Sequence, residues 1–416
     1  MHPGSRVLPL WLRLIPGLTG VITHRMKEQD VLGLGVIGAG KRGKLGWAAH
    51  RPEEGVRLLA ACDPRESALQ VYKESIGPEL FTTHAIHELL KRDEIQAVLV
   101  TSPDGLHEEH AVAALEAGKA VYLEKPMAIT IAGCDRILEA ARRSGSKLYL
   151  GHNMRFMGYI RKMKALIDAG AIGEVKAAWC RHFIAYGGDA YFKDWHAERK
   201  HATGLLLQKA AHDIDVLHWL CGGTTRRVNA MGALTLYDRV TDRHAPEAYG
   251  DARFDEKHWP PLSQKGLNPV IDVEDLEMMN MALDNGVLAT YMQCQYAPDA
   301  WRNYTFIGSE GRIENFGTKP GACVVRLWNR RVDHYQPYGD EQFFVPAVQG
   351  GHGGADPSIL DEFLAYVRWD KPVTTSPLAA RNAVAAGCCA TESLRSGGQP
   401  LDVPPVPADL AAAFTA

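Results

Sequence analysis

The sequence predicts an α/β protein whose first half is a doubly wound parallel sheet and whose second half is built largely of strands. Three observations carry that expectation. Between Leu32 and His152 short apolar runs alternate with amphipathic stretches, the pattern of βαβ units with helices on both faces of a sheet. A glycine-rich turn, GAGKRG, separates the first run from the first helix. Beyond residue 225 the chain changes to strand-and-turn segments such as GVLATYMQCQY and YTFIGSEGRIEN.

Taken in order, LGLGVIG is the first strand, a helix follows from Arg42, and VRLLAACD is the second strand. Helices are expected over RESALQVYKES and AIHELLKR, then the strand AVLVTS, a helix over EEHAVAALEAG, the strand AVYLE, a helix over ITIAGCDRILEAARRSG and the strand KLYLGH. The turn places Gly38, Gly40 and Gly43 in a G-x-G-x-x-G pattern, with Lys41 and Arg42 inside it. The first glycine makes the turn, the second lets backbone approach a pyrophosphate, and the third lets helix and strand pack closely. Helix N-terminal amides then face the phosphate charge. Asp63 ends the second strand, about 20 residues on, where a carboxylate accepts hydrogen bonds from the ribose hydroxyls. A carboxylate there favours NAD over NADP. Arg42 and Arg65 keep NADP open, since either can pair with a 2′-phosphate.

The strand AVYLE runs into Glu124, Lys125 and Pro126 at the carboxyl edge of the sheet, where open α/β sheets bind ligands. A lysine ending a buried strand beside a nicotinamide can orient a substrate hydroxyl and stabilise a developing alkoxide. Pro126 constrains the peptide that holds it and allows a cis bond. A second constellation lies in LLLQKAAHDIDVLHWL, residues 205–220. As one helix it carries Gln208, His212 and Asp215 on one stripe beside a broad leucine face. Lys209 and Asp213 form another edge at i, i+4 spacing, expected to be a solvated ion pair without function.

The 416 residues and 46% hydrophobic content permit a large core and two domains. Residues 1–31 read as a disordered or mis-started extension, 32–151 as the nucleotide-binding domain and 152–416 as a substrate and oligomerisation domain. A net charge of -3 gives no broad basic field for nucleic acid or membrane. The 8 scattered cysteines lack a C-x-x-C pair and suit a reducing, cytoplasmic compartment. His107 and His110, or Asp215 and His218, do not make a convincing open tetrahedral site, so no metal is expected.

GVIGAGKRG, TSPDGLHEEHAVAALEAGKAVYLEKPMA and HDIDVLHWL together resemble the Gfo/Idh/MocA oxidoreductases, the group of glucose-fructose oxidoreductase and inositol dehydrogenase. The resemblance covers residues 32–225 closely and continues through FIGSEGRIEN and the tail GCCATESLRSGGQPLDV. It implies an N-terminal Rossmann domain and a C-terminal α/β domain with a large, mainly antiparallel open sheet that mediates dimer or tetramer contacts. It further implies Lys125 as the lysine of the E-K-P motif and His212 as general base. Thr101, Ser102, Pro103 and His107 would lie along the cofactor, with His152 and Asn153 approaching nicotinamide or substrate. One departure stands out. Many dehydrogenases of this family have aspartate four residues before the histidine, where this chain has Gln208, which cannot supply negative charge to the base.

These features lead to an NAD-dependent oxidation of a secondary alcohol on a sugar, glycoside, polyol or related compound. The loop YGGDAYFKDWHAERKHATG offers Tyr186, Tyr191, Trp195, His196 and Arg199 as rings and donors for a polyhydroxylated substrate, and QGGHGGADP offers His352 and Asp356. Two other readings stay open: a glycosidase that oxidises transiently and returns the hydride, and a cofactor-binding regulator without turnover.

Overall fold

The computed structural model describes residues 31–245, 253–319 and 321–414. Apart from Val31, the extension expected over 1–31 lies outside the described residues. The first sheet contains β1 (Leu32–Ile37), β2 (Val56–Cys62), β3 (Phe81–Thr83), β4 (Ala97–Val100), β5 (Ala120–Leu123) and β6 (Leu148–Leu150). Its order is β3-β2-β1-β4-β5-β6 and every pairing is parallel. This is the dinucleotide-binding order, with the switch point between β1 and β4. β1, β4 and β5 are buried along their whole length, which is why they read as unbroken apolar runs rather than alternating ones. The intervening helices fall within a few residues of their expected spans, for example Glu66–Ile76, His107–Glu116 and Ile131–Ser144.

Two glycines of the turn are needed for distinct reasons. Gly38 has φ 98°, and a Cβ there would lie 2.5 Å from the Ser102 amide nitrogen. A Cβ on Gly43 would lie 2.4 Å from the Gly38 carbonyl oxygen and 2.8 Å from the Tyr72 hydroxyl. That hydroxyl donates to the Gly43 carbonyl, so the close approach of helix and strand is fixed from both sides.

The second sheet comprises β7 (Val175–Phe183), β8 (Thr225–Ala233), β9 (Leu276–Leu283), β10 (Leu288–Cys294), β11 (Trp301–Gly308), β12 (Arg312–Phe316), β13 (Cys323–Trp328), β14 (Glu341–Val345) and β15 (Leu401–Asp402). The order is β14-β13-β12-β11-β7-β10-β9-β8-β15. It is antiparallel except where β7 and β10 run parallel. YTFIGSEGRIEN forms the β11–β12 hairpin around Ser309, Glu310 and Gly311. One face packs against helices Ala211–Cys221 and Pro377–Arg395, joining Ile214, Leu217, Ala383 and Ala386 to Met279, Tyr291 and Phe306. Met231 and Met278, partners across β8 and β9, and Leu288 lie exposed on β8, β9 and β10.

The chain after residue 152 serves both sheets. Helix Ala355–Trp369 returns to the first one, where Phe363 meets Tyr122 and Tyr149 with ring centroids at 5.5 and 5.6 Å. Burying such a ring contributes roughly 1.5–3 kcal/mol. These contacts and the short helix Asn153–Phe156 hold the carboxyl edge of the parallel sheet beside the helix that carries His212.

Gly43→Ala should destabilise the protein by about 1–3 kcal/mol through overpacking and weaken NAD binding, measured by urea unfolding and calorimetry. Wild-type stability and affinity in this variant would show that the close approach is dispensable.

Candidate active site

The residues that follow β1, β2, β4 and β5 gather at one edge of the first sheet. Asp63 is buried, and its carboxylate accepts from the Ala39 and Arg65 amides, each at 2.9 Å. Thr101 Oγ1 donates to the Gly38 carbonyl at 2.7 Å, closing the glycine turn onto the loop after β4. Pro103 precedes the one-turn helix Asp104–Leu106. His107 faces the Ser102 carbonyl with Nε2 at 2.9 Å and the Pro126 carbonyl with Nδ1 at 2.7 Å, so it clamps the loop after β4 to the one after β5. The Lys125–Pro126 peptide is cis.

Arg42 does not stand free for a phosphate. Its Nε donates to Glu124 at 2.5 Å and its Nη1 to both oxygens of Asp356 at 3.0 Å. Asp356 also accepts from the Asn153 amide at 3.3 Å and contacts His352 Nδ1 at 2.8 Å. Arg42 and His352 hold Asp356 down to a pKa of about 2 despite its burial.

The expected single helix over 205–220 is two helices, Leu205–Gln208 and Ala211–Cys221. The break falls at Lys209 and Ala210, and the Gln208 carbonyl accepts from Lys125 Nζ at 3.0 Å. The E-K-P lysine and the histidine helix are therefore joined directly. Asp104, buried and missed by sequence reasoning, bears on Lys125 electrostatically and is hydrogen-bonded by the Gln208 side chain. Burial raises the Asp104 pKa, with Lys125 opposing, and lowers that of Lys125, with Asp104 opposing.

The break also overturns the expectation that Lys209 and Asp213 form a solvated pair, because both are buried. Asp213 faces Arg302 Nε and His182 Nδ1, each at 3.3 Å, and accepts from the Tyr304 hydroxyl. β7 and β11 supply these partners, a contact the helical spacing could not reveal. Lys209 lies over the rings of Tyr186 and Tyr191 at 5.8 and 5.2 Å. Asp215 is likewise not open to substrate. Arg155 grips it in a two-pronged contact at 2.7 and 2.6 Å, and His152 Nδ1 lies 3.3 Å away. That fork keeps the buried carboxylate ionised and makes it an anchor for His152.

Of the aromatic loop, Trp195 and His196 stack with centroids 3.7 Å apart, and His196 Nδ1 meets Asp194 at 2.5 Å. Arg199 belongs to a different network, with Glu274 at 3.0 Å, which Arg395 also grips. A cleft of about 340 Å³ is lined by His182, Tyr186, Arg302 and His352 among others, and it joins the two loops singled out in the sequence.

Several buried polar atoms at this edge have no hydrogen-bond partner among the described residues: Asp104 Oδ2, His152 Nε2, Asn153 Oδ1, Gln208 Oε1 and His212 Nδ1. Such groups are costly to bury unless a ligand or water satisfies them. Their mixture of donors and acceptors suits a nicotinamide carboxamide and sugar hydroxyls, and the glycine turn with Asp63 suits the adenosine end of NAD. His212 has its pKa driven well below 6.5, first by burial and then by Lys125, Arg302 and Lys209. It is neutral at neutral pH and available to accept a proton.

A parallel sheet with this edge defines a dinucleotide-dependent oxidoreductase. Residues 32–152 match the family described as "Oxidoreductase family, NAD-binding Rossmann fold", and residues 164–403 match its C-terminal alpha/beta domain. The chain belongs to the Gfo/Idh/MocA family, and its first domain is an NAD-binding Rossmann domain. It is 30% identical to inositol 2-dehydrogenase of Salmonella paratyphi B, over 82% of this chain and 92% of that one. The enzyme of the same name from Ralstonia nicotianae is 32% identical over the same shares, 82% and 92%. Among solved structures, levoglucosan dehydrogenase in complex with NADH and levoglucosan has a TM-score of 0.72 at 20% identity, covering 90% of this chain and 99% of that one.

With His212 as proton acceptor and Lys125 as the cation of the reaction, the roles proposed below, protonation of the one and deprotonation of the other would each end turnover. Both pKa values are lowered, from 6.5 and 10.5. The pH profile of kcat/KM, which reports the free enzyme, should therefore show its acid limb below 6.5 and its basic limb below 10.5. An acid limb at or above 6.5 would contradict this electrostatic picture.

Proposed function

We propose that the protein oxidises a secondary alcohol of a sugar, glycoside, polyol or related compound, with Lys125 and His212 as the catalytic pair. The observation that carries this reading is the hydrogen bond from Lys125 Nζ to the carbonyl of Gln208, one helical turn before His212. It brings a cation and a neutral imidazole to the carboxyl edge of a parallel sheet. NAD, when bound, supplies the hydride acceptor. Lys125 binds the substrate oxygen and stabilises the alkoxide that forms as His212 removes the hydroxyl proton. Asp104 opposes the burial that lowers the Lys125 pKa, while Asp215 and Arg155 fix His152 beside the base. Asn153, Thr101, Ser102, Pro103 and His107 are assigned to the nicotinamide side, and Gly38, Gly40, Lys41, Gly43, Asp63 and Arg65 to the adenosine and phosphates. Gln208 presents its free Oε1 to a substrate hydroxyl, and Tyr186, Trp195, His196 and His352 belong to the walls of the site.

The names of the relatives support sugar or polyol chemistry. The arrangement does not favour a regulator, since a sensor needs no cation beside a proton acceptor. A screen of sugars, polyols and aryl glycosides with NAD, read at 340 nm and for released aglycone, tests the reading. Stoichiometric NADH is expected. Lys125→Ala and His212→Ala should each lower kcat by roughly 100-fold or more while leaving NAD binding measurable. Aglycone release at constant absorbance would instead establish the redox-neutral glycosidase.

We also infer a homodimer or homotetramer formed through the second sheet, where Met231, Met278 and Leu288 are exposed on adjacent strands. Light scattering should report a defined oligomer that Leu288→Glu shifts toward monomer. A monomeric wild type would overturn this assignment.

A further inference from the structure

Lys209 is a buried cation with no counter-ion among the described residues. Its relative exposure is 8%, and among the described residues no carboxylate lies within 4.0 Å of its Nζ. The neighbouring acids are already committed. Asp213 faces Arg302 and His182, Asp215 is held by Arg155, Asp194 by His196, and Asp189 by Lys193 and His258 at 2.8 and 2.7 Å. Asp104 is set against Lys125. The faces of Tyr186 and Tyr191 favour a charged ammonium but do not neutralise it. Tyr186 also lines the cleft that Arg302 and His182 share, so Lys209, against the Tyr186 ring, lies next to that cleft.

The charges that bear most strongly on His212 are those of Lys125, Arg302 and Lys209, all positive. A site with an excess cation and an oxidised nicotinamide repels the imidazolium that must form when His212 accepts a proton. A neutral sugar leaves that repulsion in place, and a bound anion relieves it. We propose that Lys209 pairs with a carboxylate of the substrate, so that the preferred substrates are sugar acids, uronates or aldonates, rather than neutral sugars. A monoanion fits better than a phosphate ester. Of the three cations that bear most on His212, Lys209 alone lacks a carboxylate partner among the described residues: it hydrogen-bonds Tyr191, Arg302 is held by Asp213 and Lys125 is set against Asp104. The inference rests on the dehydrogenase reading for the reaction but concerns binding.

The test is calorimetry of the full-length protein saturated with NAD. The titrants are glucuronate, galacturonate and gluconate, each with its neutral counterpart glucose, galactose or sorbitol, and also glucose 6-phosphate. At least one acid should bind about tenfold or more tightly than its neutral counterpart. Lys209→Met should abolish that preference, and Lys209→Arg should retain it. Neutral members binding as tightly as every acid, a preference that survives Lys209→Met, or tighter binding of the phosphate ester would each overturn the proposal. If Lys209→Met fails to fold, the wild-type pairs still decide. Absorbance at 340 nm in the same mixtures separates the two claims. Acid-selective binding without NADH supports the pairing and removes the dehydrogenase reading. NADH formed from the neutral but not the acid member overturns the pairing alone.

Discussion

The hydrogen bond between Lys125 Nζ and the Gln208 carbonyl is the contact on which the site depends. Its donor lies two residues beyond the fifth strand of the parallel sheet, and its acceptor ends a short helix in the second half of the chain. An uninterrupted α-helix would use that carbonyl internally. The break at Lys209 and Ala210 leaves it to the lysine, and the following helix starts one residue before His212. The positions of Lys125 and His212 are thus fixed by one piece of backbone. Asp104 lies against the same lysine and the Gln208 side chain, so the contact has an electrostatic partner from a third loop.

Around it the charges are arranged in committed pairs. Arg155 with Asp215, Arg302 with Asp213, and Arg42 with Glu124 and Asp356 are buried or half-buried ion pairs. Each is costly to break by removing one member. These pairs make a prepaired wall around Lys125 and His212, and the proposed reaction needs such a wall to keep the two at fixed separation. The groups without a partner among the described residues, by contrast, cluster at the carboxyl edge of the parallel sheet, the edge at which open α/β sheets bind ligands. Gln208 belongs to this logic. It adds a hydrogen-bonding amide where an aspartate would have offset the positive charge, and so leaves the base with a low proton affinity.

Much of the first sheet was legible because its signals are local. Unbroken apolar runs gave the buried parallel strands, the glycine turn gave the first crossover, and the E-K-P segment gave the lysine at the carboxyl edge. The site beyond it was less legible. Nothing in LLLQKAAH marks a break, since it holds neither glycine nor proline, and the partner that favours the break lies 83 residues away. Helical spacing put Asp215 on the stripe of His212, but its capture by Arg155, 60 residues distant, is a tertiary fact. Asp213 and Lys209 looked like surface charge for the same reason: β7 and β11, which cover Asp213, come from segments whose register a single sequence does not specify. Asp104 carried one usable signal, an acid just past the end of a buried strand at the edge where ligands bind.

The central claim is that Lys125 and His212 flank one reacting carbon. A crystal structure of the protein with NAD and a substrate found in the screen tests it most directly. The account predicts the substrate oxygen within hydrogen-bond distance of both Lys125 Nζ and the His212 imidazole, with its carbon facing nicotinamide C4. A substrate oxygen bound away from either side chain, or a nicotinamide ring outside the edge formed by Thr101, Lys125 and Asn153, would contradict it.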